Sequence, residues 1–368
     1  MADYGDIGRR RIGRGWIVVG IMAALLLLAA VTPSPYAIER PGPVVNAFGD
    51  YPGPDGEDVP VIRIDGATSY PTSGALNILS VSVRGTPSDP VSWLSLGGVL
   101  LDPTRSAVPL GELFPDGMTA EERTAQSDEM MRVSQLSATA AALRLAGLPV
   151  TERLLVVSVF ADGAAEGVLR EGDLIVGAGG AEVHDFAGLQ AAMLAAPAGE
   201  PLALEIERDG RRIDLSLVPE ITADGSPRLG IGIGPDYEFP FDVDLELDSI
   251  GGPSAGLTFA LAIYDLLTPG QLTGGEQVSV TGTIEADRAV GPIGGLTQKI
   301  WGASLAGSEL LLMPVENCAE VPDRLPEGMR IMPVATLDEA VGALDALREG
   351  GDVPGMERCT APGVRAAG

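Results

Sequence analysis

Histidine and lysine occur once each in this 368-residue chain, and cysteine only twice. With His184 as the lone histidine, a Ser-His-Asp triad is not expected. A zinc hydrolase is equally poorly served, because its site gathers several His, Cys or carboxylate ligands. No metal and no cofactor is therefore expected. The lone lysine, Lys299, is followed by Ile300, whereas a phosphate-binding loop needs Lys followed by Ser or Thr, so nucleotide-driven work is excluded. Positive charge is scarce too: 24 Lys and Arg face 51 Asp and Glu, and a net charge of −27 repels nucleic acid, whose binding rests on neutralised phosphates. A diffuse acidic excess keeps a domain soluble and names no partner.

What is there suits a folded chain of two domains, with 45% hydrophobic and 20% charged residues. Residues 16–32 read WIVVGIMAALLLLAAVT, with Arg9, Arg10, Arg11 and Arg14 just before them. That pattern predicts an uncleaved, single-pass transmembrane helix with a cytoplasmic N-terminal tail over 1–15. The rest of the chain is then expected on the extracytoplasmic side of the cell membrane. An oxidising compartment would let Cys318 and Cys359 form a disulfide, although two unrelated thiols fit the sequence as well.

Residues 33–57 are rich in Pro and Gly and read as a linker. VPVIRID, ALNILSVSV and VSWLSLGGVLL then read as strands. Thr119 and Glu122 make a capping-box signature ahead of a long helix that ends near Gly147. From 148 to 222 lie strands, one helix and the run from Ala164 to Ile175, with a turn at Gly180. This stretch resembles a PDZ domain of the bacterial protease-associated kind, a fold that adds an extended peptide to a sheet edge. Its alternative is a small β-rich spacer without a ligand.

The chemistry gathers after the strand FDVDLELDSI. Ser254 lies in Gly251-Gly252-Pro253-Ser254-Ala255-Gly256, at a turn into the apolar helix LTFALAIYDLL. Glycines allow close approach of a substrate, and amides at a helix start can hold an oxyanion. Taken alone, Ser254 also suits an ordinary helix N-cap. A base decides between these, and Lys299 is the candidate. Arginine serves most surfaces but keeps its proton, whereas a desolvated lysine can become neutral. Lys299 sits in GPIGGLTQK, which reads as a turn feeding a helix, whose positive end would depress its pKa further.

GGPSAG followed by GPIGGLTQK resembles the proteolytic domain of Lon-type proteases, as do the segment Val280-Thr281-Gly282-Thr283-Ile284 and the stretch MPVENCAEV. With the PDZ-like insert, the layout is similar to anchored Lon-like proteases that carry a PDZ domain. The resemblance implies Ser254 as nucleophile, Lys299 as general base and Thr281 as a supporting partner of the lysine, while Gly251 and Gly252 are oxyanion candidates from the chemistry of the turn itself. Gly251 stands where full-length Lon proteases usually carry Asp, and Thr283 where they tend to carry Glu. The implied fold class is α+β: a Lon-type proteolytic domain, an α/β sheet with flanking helices, with an inserted PDZ domain and one N-terminal transmembrane helix. Its parts are expected at 58–147 and 223–345 for the protease, 148–222 for the PDZ domain and 346–368 for a C-terminal tail. The implied activity is ATP-independent serine endopeptidase action on peptides or unfolded segments, with the PDZ domain recruiting substrate or regulating. The alternative is a catalytically idle Lon-like fold serving as a membrane scaffold. Expected partners are protein or peptide substrates and a PDZ peptide ligand, and no nucleic acid.

Overall fold

A mixed six-stranded sheet and an antiparallel one organise the computed structural model, which describes residues 14–53, 56–222, 225–247, 252–351, 355 and 359. The mixed sheet runs in the order Arg330–Val334, Leu310–Pro314, Gln277–Val280, Ala75–Arg84, Tyr36–Asn46, Ser106–Pro109. Its first four strands pair in parallel and the last two join antiparallel. Leu310–Pro314 is buried at every position, the pattern of a strand covered on both faces.

The covering on the two faces differs, and that difference places the site. Leu76, Ile78, Leu310 and Leu312 point into the main core, shared with the helices Ala120–Leu145, Gly256–Leu267 and Leu337–Arg348. Leu79, Leu311 and Met313 point the other way, into a smaller core with Leu296 and Ile300 of the helix Leu296–Leu305. The two motif helices therefore lie on opposite faces of one sheet. The long helix Ala120–Leu145 starts as its sequence predicts: the Thr119 hydroxyl accepts from the Glu122 amide, and the Glu122 carboxylate accepts from the Thr119 amide.

The second sheet runs Arg211–Leu217, Leu202–Arg208, Leu174–Ala178, Thr151–Val159, Ile231–Glu238, with the helix Phe186–Ala195 packed on its core. Its last strand lies beyond the expected boundary at 222. Ile231–Glu238 pairs antiparallel with Thr151–Val159 from end to end, so the unit closes only after the chain returns to its own first strand. Arg144 ties the two units: one guanidinium nitrogen reaches the Glu152 carboxylate at 3.2 Å and the other the Ala286 carbonyl at 2.9 Å.

Three expectations need correction. The segment at the N-terminus is a helix, Arg14–Val31, but no helix among the described residues is long and apolar enough to cross a membrane. Its uncharged part from Trp16 rises only about 24 Å, short of the roughly 30 Å of a hydrocarbon core. The expected single-pass cell-membrane location, with its extracytoplasmic side, is overturned with it. Most of the expected tail at 1–15 lies outside the described residues. Second, the expected linker at 33–57 holds the strand Tyr36–Asn46 of the mixed sheet. Its prolines are accommodated where the register shifts between Pro41 and Val44, a bulge that needs no ladder amide from them. Third, VSWLSLGGVLL is no strand: Ser92 caps a short helix, Trp93–Gly97, and Val99–Leu101 forms a 3-10 turn. A serine hydroxyl offered to the Ser95 amide wins there over β propensity.

Candidate active site

Ser254 occupies a 3-10 turn, Pro253–Ala255, that feeds the helix Gly256–Leu267. Three contacts hold this turn. The Ser134 hydroxyl of the long helix donates to the Pro253 carbonyl at 2.9 Å, the Gly282 amide donates to the Ser254 carbonyl at 2.9 Å, and the Leu257 amide donates to the Gly282 carbonyl at 3.0 Å. Gly256 makes this crowding possible, since a Cβ there would sit 2.6 Å from the Ser134 hydroxyl and 2.8 Å from an Ile284 methyl. Gly252 has φ +96°, a conformation that favours glycine. Its amide donates to the Ser127 carbonyl at 3.3 Å, so it is engaged in anchoring the turn. Gly251 lies outside the described residues.

Lys299 comes from the other face of the sheet. Gly295, left-handed at φ +65°, starts the helix Leu296–Leu305, and Asn317 pins the loop before it by accepting from the Ile293 amide and donating to the Ile293 carbonyl. Cys318 follows Asn317 and forms a disulfide with Cys359, their Cα atoms 5.4 Å apart, beside the smaller core.

Thr281 joins the two motifs. It directly follows the strand Gln277–Val280, at the sheet end where both helices meet, and is wholly buried. The Lys299 Nζ donates to the Thr281 hydroxyl at 3.1 Å, and that hydroxyl donates to the Ser254 carbonyl at 3.3 Å. Lys299 is only 3% exposed, and burial lowers its pKa from 10.5 to about 7, opposed by the nearby charge of Glu39. The amine thus reaches its neutral, proton-accepting form near neutral pH, which an ordinary lysine does not.

Ser254 and Lys299 line one cleft of about 580 Å³, with apolar walls from Leu79, Val81, Val83, Leu113 and Ile293. Two charged residues of this cleft, Glu39 and Arg123, have no signal in the sequence. Glu39 lies in the Pro/Gly-rich segment, where no periodicity marks a strand. A larger cavity, about 870 Å³, lies away from this chemistry, between the edge strand Ile231–Glu238 and the helix Phe186–Ala195. Leu189, Met193, Ile231 and Ile233 line it, and Phe160 and Phe186 flank it. Among the described residues no group of three or more His, Cys, Asp or Glu is placed to hold a metal ion.

Comparison with known proteins matches residues 249–346 to the Lon protease (S16) C-terminal proteolytic domain and residues 130–218 to the PDZ domain family. Lon protease 1 of Bacillus subtilis is 32% identical over 118 residues, 30% of this chain and 15% of the relative. Lon protease 1 of Hydrogenovibrio crunogenus is 41% identical over 91 residues, 24% and 11% of the two chains. The Syntrophomonas wolfei Lon protease is 31% identical over 137 residues, 34% and 17%. The chain thus matches less than a fifth of the length of these relatives. Among solved structures, the PDZ domain of the SdrC-like protein from Listeria monocytogenes is 22% identical, covering 22% of this chain and 85% of that one, with a TM-score of 0.21 that carries no argument. A Lon-type proteolytic domain and a PDZ domain are present. The PDZ match runs from 130 to 218, but hydrogen bonding places Ile231–Glu238 in the same sheet, and apolar packing places Ala120–Leu145 on the main core.

Proposed function

We propose that this chain is a serine endopeptidase with Ser254 as nucleophile and Lys299 as general base. The observation that carries the reading is the burial of the chain's one lysine in the cleft that holds Ser254, with Thr281 bonded to both motifs. Neutral Lys299 takes the hydroxyl proton as Ser254 Oγ attacks a peptide carbonyl. The oxyanion is met by the first amides of the turn at Ser254, which a helix start leaves without intrahelical partners. Lysine then returns the proton to the leaving amine, and water releases the acyl group with the same amine as base.

Without a phosphate-binding lysine, the chain acts without ATP, on peptides and on segments already unfolded. Substrate recruitment falls to the PDZ unit. An extended peptide adds to the free edge of Ile231–Glu238 and places its terminal side chain on Leu189 and Met193.

The test is cleavage of unfolded casein in the absence of ATP, by the chain and by Ser254→Ala. Cleavage by the parent and background rates in the variant are expected. Equal cleavage by both removes Ser254 from the chemistry and sinks the proposal.

A further inference from the structure

Among the described residues lining the cleft, three have ionisable side chains: Lys299, Arg123 and Glu39. Glu39 stands on the strand Tyr36–Asn46, opposite Val83 on one neighbouring strand and Ser106 on the other. Its carboxylate accepts from the Ser106 hydroxyl at 3.1 Å, and the Ser106 oxygen accepts from the Gln298 side-chain amide at 2.8 Å. Gln298 is 2% exposed and directly precedes Lys299. A hydrogen-bonded chain thus links the lysine helix to a carboxylate in the lysine's own cleft. Arg123 is engaged elsewhere: one guanidinium nitrogen donates to the Leu113 carbonyl, and the group lies 5.3 Å over the Phe114 ring. Other charges on elements packed against the lysine helix are Arg40 and Arg84 on the strands beneath it and Glu316 and Glu320 on the turn Val315–Glu320, and none of them lines the cleft.

We propose that Glu39 is a positioning residue of the dyad: tethered through Ser106 to Gln298, its carboxylate stabilises the lysine ammonium that forms when Ser254 gives up its proton. The inference rests on the reading of Ser254 and Lys299 given above. The proton of Ser254 Oγ passes to Lys299 Nζ and then to the leaving amine nitrogen. Burial alone drives the lysine toward too weak a base, and a carboxylate in the same cleft offsets it; the direction of Glu39's effect on Lys299 agrees. A base works best with its proton affinity near the working pH, and Glu39 supplies the upward half of that adjustment.

Because Lys299 is the only lysine, isotope-labelled lysine gives a single side-chain resonance in the full chain, and its pH titration reads proton affinity without reference to activity. Glu39→Gln keeps the shape and removes the charge. Its titration midpoint is expected to fall by roughly half to one pH unit. The acid limb of kcat/KM on a short peptide should move with it, raising the relative rate below neutral pH several-fold. Glu39→Asp should keep most of the parent profile. Ser106→Ala, which frees the carboxylate, should show a smaller shift in the same direction and guards against a Glu39→Gln chain that fails to fold. Midpoints unchanged in both variants overturn the proposal. A shifted midpoint in a chain whose cleavage ignores Ser254→Ala would instead sink the protease reading and confirm the electrostatic link to the lysine.

Discussion

Lys299 and Asp173 are both almost wholly buried, at 3% and 1% exposed, one in each sheet unit, and the fold treats their charges in opposite ways. Asp173 is given a partner. Burial alone would raise its pKa, but the Arg208 guanidinium grips both carboxylate oxygens, at 2.6 and 2.7 Å, and the Arg170 amide adds a third bond, so the group is held below its usual range. Lys299 receives one neutral hydroxyl and a more distant carboxylate, so burial wins and its pKa falls to about 7. A buried charge with a bidentate partner is structural, locking a turn of the PDZ unit. A buried amine without one can exchange a proton near neutral pH, the property that the proposed base needs.

The sharpest way to break this comparison is to put at 299 a group that cannot become neutral. Lys299→Arg keeps a cation but keeps its proton too. Peptide cleavage is expected to fall by about two to four orders of magnitude, measured against Ser254→Ala as background. Next, Arg208→Leu converts the second arrangement into the first by leaving Asp173 buried and unpaired. Urea unfolding should show a loss of about 3 kcal/mol. The sign with pH follows from Asp173's lowered pKa: the parent's stabilisation is present above the unfolded value, near 4, and lost on acidification below it, and the variant should lack that dependence. Cleavage of a short peptide should survive, because Arg208 touches nothing in the Ser254 cleft.

The smallest effect concerns the lysine's cost to the fold. Between pH about 7 and 10.5 the unfolded chain binds the proton that folded Lys299 releases, so stability rises with pH across that window. Lys299→Met removes the penalty. The fall from 10.5 to about 7 is worth about 4 kcal/mol at neutral pH, and losing the amine's bond to Thr281 and its fit offsets about half of it, so the chain should be stabilised by roughly 2 kcal/mol there, with the gain shrinking as pH approaches the upper end of the window. A gain independent of pH would mean that packing, and not desolvation of the amine, accounts for it.

Much of this was legible beforehand where the signal was local. The capping box at Thr119 and the turn at Ser254 rest on residues a few positions apart, the single lysine is found by counting, and each maps onto a described element. The strand Tyr36–Asn46 was hidden because Pro41, Gly42 and Pro43 look like a linker until a bulge and a neighbouring strand accommodate them. The edge strand of the PDZ unit was hidden for a related reason. RLGIGIG carries the apolar alternation of a strand, but nothing local says that its partner starts at Thr151.

The amino-acid sequence alone therefore determined the chemical inventory: one serine in GGPSAG, a single lysine in GPIGGLTQK followed by Ile300, and a single histidine far from both in the chain. Tertiary structure decided the geometry. It put the two motif helices on opposite faces of a sheet, used buried Thr281 at the strand end to join them, and carried Glu39 from far along the chain into their cleft. The reason is physical: residue type fixes which protons can move, but desolvation and charge proximity, which set where they move, exist only once distant strands have paired.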